Sequence, residues 1–134
     1  MSLLRWTDEN DIFLPELDAE HRALFVAGEE LHRAVSAGAP ADQVKERLHH
    51  VLQLAEAHFL HEERLMRDSA FESYEWHRKQ HDVIRRRAKR TDGTDLLAVA
   101  ALLDYVAGWL RDHTAVADRI MASHLRNWMR NQAA

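Results

Sequence analysis

Cysteine is absent from this chain of 134 residues, and glycine (4) and proline (2) are scarce. Without thiols the protein has no disulfide, no thiolate metal ligand and no redox-active cysteine, so any bound metal must be held by nitrogen and oxygen. The length fits one domain, and the shortage of turn-forming residues favours long helices over a turn-rich sheet. We therefore expect a single all-α domain.

Excess positive charge and long apolar runs are also missing. Eighteen Lys and Arg against 22 Asp and Glu give a net charge of -4, which provides no large positive field for nucleic acid. The one basic run, at 85–90, falls near a predicted helix end, where cations complement the helix dipole. No signal peptide or membrane-spanning segment is recognisable. We expect a cytoplasmic protein with neither nucleic acid nor a membrane as partner, and no motif specifies a protein partner.

Apolar residues recur at helical spacing in four successive segments, separated by short turn signals. They predict helices near 18–37, 41–67, 73–90 and 94–118, an irregular arm over 1–17 and a helical extension over 119–131. Asp18 is a plausible N-cap of the first helix. Short connections make successive helices antiparallel, so we predict an up-down-up-down four-helix bundle. The arm is expected to pack through Leu4, Trp6, Ile12 and Phe13.

Histidine is abundant, with ten residues, and several fall where a bundle interior could use them. His77 and His81 are four residues apart, so they lie on one helical face at a spacing that lets two imidazoles bind one metal ion. His58 and Glu62 repeat this spacing on an apolar face. A buried ionised Glu is costly unless a cation lies nearby, and a metal ion would supply one.

The pair His113 and Asp118 does not fit a straight helix, because five residues separate them by about 140°. An extra residue taken up as a π-type bulge would realign them, so we predict an irregularity across residues 114–117. With His21 on the core face of the first helix, seven candidate ligands emerge. Two carboxylates can bridge two ions, leaving three imidazoles for one ion and two for the other, which keeps an open position. The candidates are His21, His58, Glu62, His77, His81, His113 and Asp118.

These motifs resemble the hemerythrin family, in particular its single-domain bacterial members. The matching stretches are Trp6, LDAEH ending at His21, HFLHEERLM at 58–66, HRKQH at 77–81 and WLRDHTAVAD at 109–118. The resemblance implies two irons bridged by an oxo or hydroxo group and by Glu62 and Asp118. His77, His81 and His113 would hold one iron, and His21 and His58 the other. Dioxygen would bind reversibly at the second iron, which implies carriage and not catalysis.

An apolar shell around the open position would keep out water and protons. The candidates for this oxygen pocket are Leu24, Phe59, Trp109, Thr114 and Val116. Thr114 replaces a residue that is commonly Ile in the family. Its hydroxyl could donate a hydrogen bond to bound dioxygen and hasten oxidation of the irons, or it could bond its own helix backbone. Glu20 replaces the family's usual Gln and is expected to change only the helix entry.

Other histidines and acids have weaker claims to the site. His61 and Glu63 could orient metal ligands from outside the coordination shell. Two Glu-x-x-His segments, at 29–32 and 46–49, match the spacing of ferritin-like di-iron proteins but fail on geometry: position 49 faces away from His58, and position 32 lies about 16 Å along the axis from His21. We expect surface positions for His49, His50 and His124.

Two functions from different classes follow. The favoured one is reversible dioxygen binding for storage, delivery or sensing. The alternative is a di-iron enzyme that reduces peroxide or nitric oxide or otherwise activates oxygen. No proton-delivering acid is evident beside the open position, which favours the first. A helical bundle without metal would leave the seven aligned ligand candidates unexplained.

Overall fold

The structure is a computed structural model that describes residues 6–133, and over this range it is helical with no strand. Four helices form the bundle, in which the first packs on the second and fourth, and the third packs on the same two. A π-helical turn, Thr114–Asp118, joins the fourth helix to a fifth. The all-α four-helix bundle is confirmed. The helices are α1 (Pro15–Ser36), α2 (Ala41–Asp68), α3 (Tyr74–Arg90), α4 (Leu96–His113) and α5 (Arg119–Ala133).

The start of α1 differs from the prediction. The helix begins at Pro15, whose fixed φ and missing N–H suit the first helical position, so Asp18 is not its N-cap. Asp18 is buried one turn inside the helix. Its carboxylate accepts hydrogen bonds from the backbone N–H groups of Ile12 (2.9 Å) and Leu14 (3.2 Å). The residue therefore fastens the N-terminal arm to α1.

Two apolar clusters occupy opposite ends of the bundle. The distal cluster lies between α1, α2 and α4, and its buried members are Ala27, Leu31, Ala34, Val44, Leu48, Val51, Val99, Leu102 and Leu103. The proximal cluster lies where the arm and α5 meet α1 and α2, and its buried members are Ile12, Leu14, Leu17, Met66, Met121, Ala122 and Leu125. Along each of α1 and α2, the candidate ligands fall between these clusters. The polar residues thus form a layer inside an otherwise apolar interior.

The N-terminal arm, residues 6–14, packs through some of its apolar residues only. Trp6 is half-buried and Ile12 is buried, as expected. Phe13 is 67% exposed, so the prediction that it packs inward is wrong. Its φ of +62° turns the chain so that its neighbours Ile12 and Leu14 face the core in its place. Leu4 lies outside the described residues. Within residues 6–133, none of the helices has the length and apolarity needed to cross a membrane.

Candidate metal centre

The structure brings all seven candidate ligands together in the buried layer. They fall into two groups, and within each group one ligand atom per residue lies within 4.8 Å of the others. Glu62 and Asp118 belong to both groups. The first group adds three imidazoles from α3 and α4, and the second adds two from α1 and α2. The full groups are Glu62, His77, His81, His113 and Asp118, and His21, His58, Glu62 and Asp118.

The π-turn is what brings Asp118 into this layer. The predicted irregularity is confirmed, since residues 114–118 are π-helical between α4 and α5. As a result, Asp118 shares a face with His113, and His113 Nε2 lies 3.0 Å from Asp118 Oδ1. A straight helix would have left the carboxylate on another face.

Each carboxylate directs one oxygen toward each group. Glu62 Oε1 lies 3.1 Å from His81 Nε2, whereas Glu62 Oε2 lies 3.0 Å from His58 Nε2. Asp118 Oδ1 lies 3.1 Å from His77 Nε2, whereas its Oδ2 lies 3.2 Å from His21 Nε2. This division is the one that two bridging carboxylates require.

Unsatisfied polar atoms test whether a pair of cations fits. Among the described residues, Glu62 Oε2, His81 Nε2, His21 Nε2 and both Asp118 carboxylate oxygens are buried without a hydrogen-bond partner of good geometry. Buried polar groups are normally satisfied, and leaving them unpaired costs free energy. These five are ligand atoms that face the other ligands, and the Nδ1 atoms of His21 and His77 are unpaired as well. Imidazole nitrogen with carboxylate oxygen suits iron. The donor set fits two metal ions.

Electrostatics within the layer point the same way. Burial acts to raise the pKa of Glu62, but the facing imidazoles, His58 first, outweigh it and hold the pKa well below its ordinary value. For Asp118, burial and repulsion from Glu62 also act to raise the pKa, and His113 and His21 outweigh them. Both acids are therefore ionised in the interior. Two buried negative charges need positive charge beside them, which either protonated imidazoles or metal ions can supply.

The imidazoles respond in the opposite sense. Burial acts to lower the pKa of His21 and His77, but the facing carboxylates of Asp118 and Glu62 outweigh it and raise both values to about 9. The pKa of His58 rises to about 10, because attraction to Glu62 and its other acidic contacts outweighs burial. Burial lowers the pKa of His113. Protons on these rings occupy the nitrogens that a metal would take, so metal binding and protonation compete.

Three of the imidazoles are held from outside through Nδ1. Glu20 Oε1 lies 2.7 Å from the Nδ1 of His58, Glu63 Oε2 lies 2.7 Å from that of His81, and Gln80 Oε1 lies 2.8 Å from that of His113. An Nδ1–H that donates to an oxygen fixes the ring orientation and leaves Nε2 free to bind a metal. Each group of ligands therefore has at least one externally fixed imidazole.

These outer contacts give Glu20 and His61 roles that differ from the expected ones, whereas Glu63 contacts a candidate ligand as expected. Glu20 does more than change the helix entry, because its second oxygen lies 2.6 Å from His61 Nδ1 while the first contacts His58. His61 therefore contacts Glu20, which in turn contacts the candidate ligand His58. Glu63 contacts a ligand directly, and Arg85 Nη1 lies 2.9 Å from its carboxylate.

Sequence reasoning missed Glu20, Gln80 and Arg85 as outer partners. Glu20 and Gln80 each directly precede a candidate ligand in the chain, and that adjacency was an available signal. Arg85 belongs to the basic run and had no distinguishing signal of its own.

Two of the predicted pocket residues stack on candidate ligands, and a third lines the same cavity. Phe59 stacks on His81 and Trp109 stacks on His113, each with ring centroids 4.2 Å apart, and Leu24 is buried nearby. All three line a cavity of about 30 Å³ that extends toward the distal cluster and is bounded by aliphatic and aromatic residues. A cavity of this size has room for one or a few small molecules, and its walls offer water no partners.

The other two predicted pocket residues, Thr114 and Val116, do not line this cavity. Val116 is 57% exposed, because it lies two residues before Asp118 on the π-turn, about half a turn around from it. Thr114 is fully buried, but its hydroxyl donates to the carbonyl of Leu110 (2.8 Å) and accepts from Asn10 Nδ2 (3.0 Å). The alternative that Thr114 bonds its own helix is the one found. The hydroxyl has no proton left for dioxygen.

The remaining histidines lie outside both groups of ligands. His49 and His50 are exposed, as expected. His124 is half-buried at the surface, and its Nε2 lies 3.0 Å from the backbone oxygen of Ser69, a contact that helps fix α5 to the end of α2. Neither of the ferritin-like Glu-x-x-His segments contributes to a group of ligands.

The fold is a four-helix bundle, and its interior holds two groups of imidazoles that share two buried carboxylates. The sequence model of the hemerythrin HHE cation binding domain matches residues 13–125. The chain is also 25% identical over 122 residues to a bacteriohemerythrin from Clostridium acetobutylicum, covering 85% of this chain and 95% of that protein. The chain belongs to the hemerythrin family, which confirms the resemblance drawn from its motifs.

Proposed function

We propose that this protein binds dioxygen reversibly at a di-iron centre, for storage, delivery or sensing of oxygen. The observation that carries the proposal is the division of ligands into a group of three and a group of two imidazoles around two shared carboxylates. When bound, an iron pair supplies the electrons for reversible dioxygen binding. Membership of the family supports this role.

The two groups of ligands suit different tasks. His77, His81 and His113 with both carboxylates would provide one ion with five protein ligands, whereas His21 and His58 would provide the other with one ligand fewer. The second ion would therefore retain a position for a small molecule. Glu62 and Asp118, which belong to both groups, would neutralise part of the charge of the two ions.

The surrounding residues would keep this position selective. Glu20 fixes the His58 ring of the two-imidazole group, and Glu63 and Gln80 fix the His81 and His113 rings of the three-imidazole group. Phe59 and Trp109 stack on His81 and His113 of the three-imidazole group, and together with Leu24 they line an apolar cavity beside the layer that would admit a small apolar molecule and disfavour water and protons. An environment without a ready proton source favours release of dioxygen unchanged, so we propose carriage in place of catalysis. That the protein acts in the cytoplasm and does not bind nucleic acid stays a prediction from its composition.

Metal analysis and optical spectroscopy test the proposal. The purified protein should contain about two irons per chain, as two groups of ligands require. After anaerobic reduction, dioxygen should produce a persistent charge-transfer band that disappears when dioxygen is removed and returns on re-exposure. His77→Asn should lose the band, whereas His50→Asn, which changes an exposed histidine, should keep it.

Three results would overturn the proposal. One is a single zinc per chain, which would contradict the two-iron site. Another is a band that bleaches at once while the irons oxidise. The third is steady turnover of peroxide or nitric oxide by the reduced protein, which would establish the alternative di-iron enzyme.

A further inference from the structure

A buried hydrogen bond connects the N-terminal arm with the π-turn. Asn10 is 5% exposed and Thr114 is fully buried, and the amide nitrogen of Asn10 donates to the Thr114 hydroxyl at 3.0 Å across 104 positions of sequence. The hydroxyl in turn donates to the carbonyl of Leu110 at 2.8 Å. Its donor and one acceptor site are therefore both used inside the protein.

The arm itself orients the Asn10 amide. The amide oxygen accepts from the backbone N–H of Thr7 (3.1 Å) and from its hydroxyl (3.2 Å). With the oxygen committed to Thr7, the NH₂ group is directed to Thr114. An apolar side chain at position 114 could not accept this bond.

Further contacts hold the arm in this position. Asp18 accepts from the N–H groups on both sides of Phe13, whose φ of +62° is a costly conformation for a residue other than glycine. Arg119 donates to the carbonyl of Glu9, and Arg126 donates to that of Ile12. The backbone of the arm is thus bound from α1 and from α5.

These contacts fall on both ends of the π-turn. Thr114 is its first residue and contacts Asn10, and Arg119 directly follows its last residue, Asp118, and contacts Glu9. A π-turn is a rare distortion of a helix, and here it determines where the shared carboxylate lies. Whatever fixes the turn also fixes Asp118.

We propose that Asn10 and Thr114 form a latch through which the N-terminal arm positions the π-turn and the Asp118 carboxylate. Both are positioning residues, since neither belongs to the groups of ligands. The inference rests on the proposed role of Asp118 as a metal ligand. It assigns to the arm, which precedes the four-helix bundle, a part in retaining the metal ions.

Two measurements on the full chain test the latch. The first is the rate at which iron passes from the loaded protein to an excess of a ferrous chelator. The second is amide hydrogen exchange of residues 114–118 in the metal-free protein, which requires no iron. The variants are Asn10→Ala, Thr114→Val, their combination and Thr114→Ser, which keeps the hydroxyl. Matched controls are Thr91→Val, whose hydroxyl likewise bonds a carbonyl four residues earlier, and the exposed Asn127→Ala.

We expect Asn10→Ala and Thr114→Val each to speed iron release about five- to tenfold, the range expected for losing one buried hydrogen bond. The double variant should be no worse than the more severe single variant, because both remove one interaction. Thr114→Ser should release iron at the wild-type rate, because it keeps the hydroxyl. The control variants should release iron within about twofold of the wild-type rate. Faster exchange in the metal-free variants should be confined to the π-turn and the arm.

Several outcomes would overturn the latch. They are release from Asn10→Ala at the wild-type rate, single effects that multiply in the double variant, and accelerated exchange spread over all helices. A wild-type protein that binds no iron would defeat the proposed function, and the exchange measurement would then decide the latch alone.

Discussion

The distal cluster and the layer of seven candidate ligands, called the metal layer below, are both buried, but their side chains are stabilised in different ways. The distal cluster contains apolar residues alone, and its centre is closed by Leu31, Val44 and Val99, each with no exposed surface. The metal layer buries seven titratable side chains to a similar degree. Apolar burial is favourable without specific partners, whereas each buried titratable group needs a partner of opposite charge or a metal ion.

The comparison separates stability from function within one small domain. Substitution in the distal cluster should change the free energy of unfolding with little effect on metal binding. Substitution in the metal layer or its outer contacts should change metal binding first. Four predictions follow, in order of decreasing expected effect.

Removing the charge of Asp118 should have the largest effect. Asp118→Asn keeps the size of the side chain but removes a shared carboxylate from both groups of ligands. Because outer contacts alone are worth about 10- to 100-fold in metal affinity, the loss of a bridging ligand should exceed about 100-fold. The iron that remains after incubation with a chelator and gel filtration measures this loss. Asp104→Asn, which changes an exposed residue of α4, is the control. If Asp118→Asn retained two irons, the metal layer would not depend on this carboxylate.

Leu31→Ala should destabilise the protein without abolishing its metal site. Leu31 is fully buried in the distal cluster, so the cavity left behind should lower the free energy of unfolding by about 2–5 kcal/mol. Denaturant titration of the metal-free protein measures it. Leu97→Ala, at a residue 84% exposed, should change stability by less than about 0.5 kcal/mol. A Leu31 variant of normal stability that loses its iron would contradict the division of roles.

Glu63→Gln should weaken iron binding about tenfold or more, because the carboxylate that orients His81 loses its charge and its pairing with Arg85. Glu56→Gln is the matched control, since Glu56 contacts the same arginine (2.8 Å) but no histidine. Competitive titration with a chelator measures both affinities. Equal losses in the two variants would show that Arg85 and not the histidine contact matters.

The smallest expected effect is a pH dependence of the metal-free protein. The folded-state pKa values of His21 and His77 are raised to about 9 and that of His58 to about 10, so the stability they contribute is fully present below pH 6.5. It is lost as the pH rises through the folded values. We expect the free energy of unfolding to fall by about 1 kcal/mol or more between pH 7 and 9.5.

Denaturant titrations across that pH range test this, with the iron-loaded protein as the control. Iron replaces the protons on the rings, so the loaded protein should lack the same decline. A metal-free protein whose stability stays level or rises over the range would contradict the raised pKa values.

Much of the fold and the ligand set was predictable because the signals are local. Helical periodicity marks the core faces, and the spacings His58–Glu62 and His77–His81 place each pair on one face. Even the π-turn could be predicted, because His113 and Asp118 cannot share a face of a straight helix. The same reasoning failed for Val116, whose outward position follows from the distortion that turns Asp118 inward.

The contacts that hold the ligands in place were not predictable in this way. Glu20 meets His58 across 38 positions of sequence, Gln80 meets His113 across 33, and Asn10 meets Thr114 across 104. Each pair joins different elements, so no periodicity within one helix relates its members. Asp18 shows the same limit, since its character as a capping residue was visible but the N–H groups it serves, in the arm, were not.

The amino-acid sequence by itself determined the helical class and the set of candidate metal ligands, because side-chain type and spacing along one helix decide these. Only the tertiary structure decided which oxygen of each carboxylate faces which imidazoles and which outer groups fix the rings. It also decided that the arm contacts the π-turn. Those arrangements depend on how separate helices pack, and packing brings together residues whose positions in the chain are unrelated.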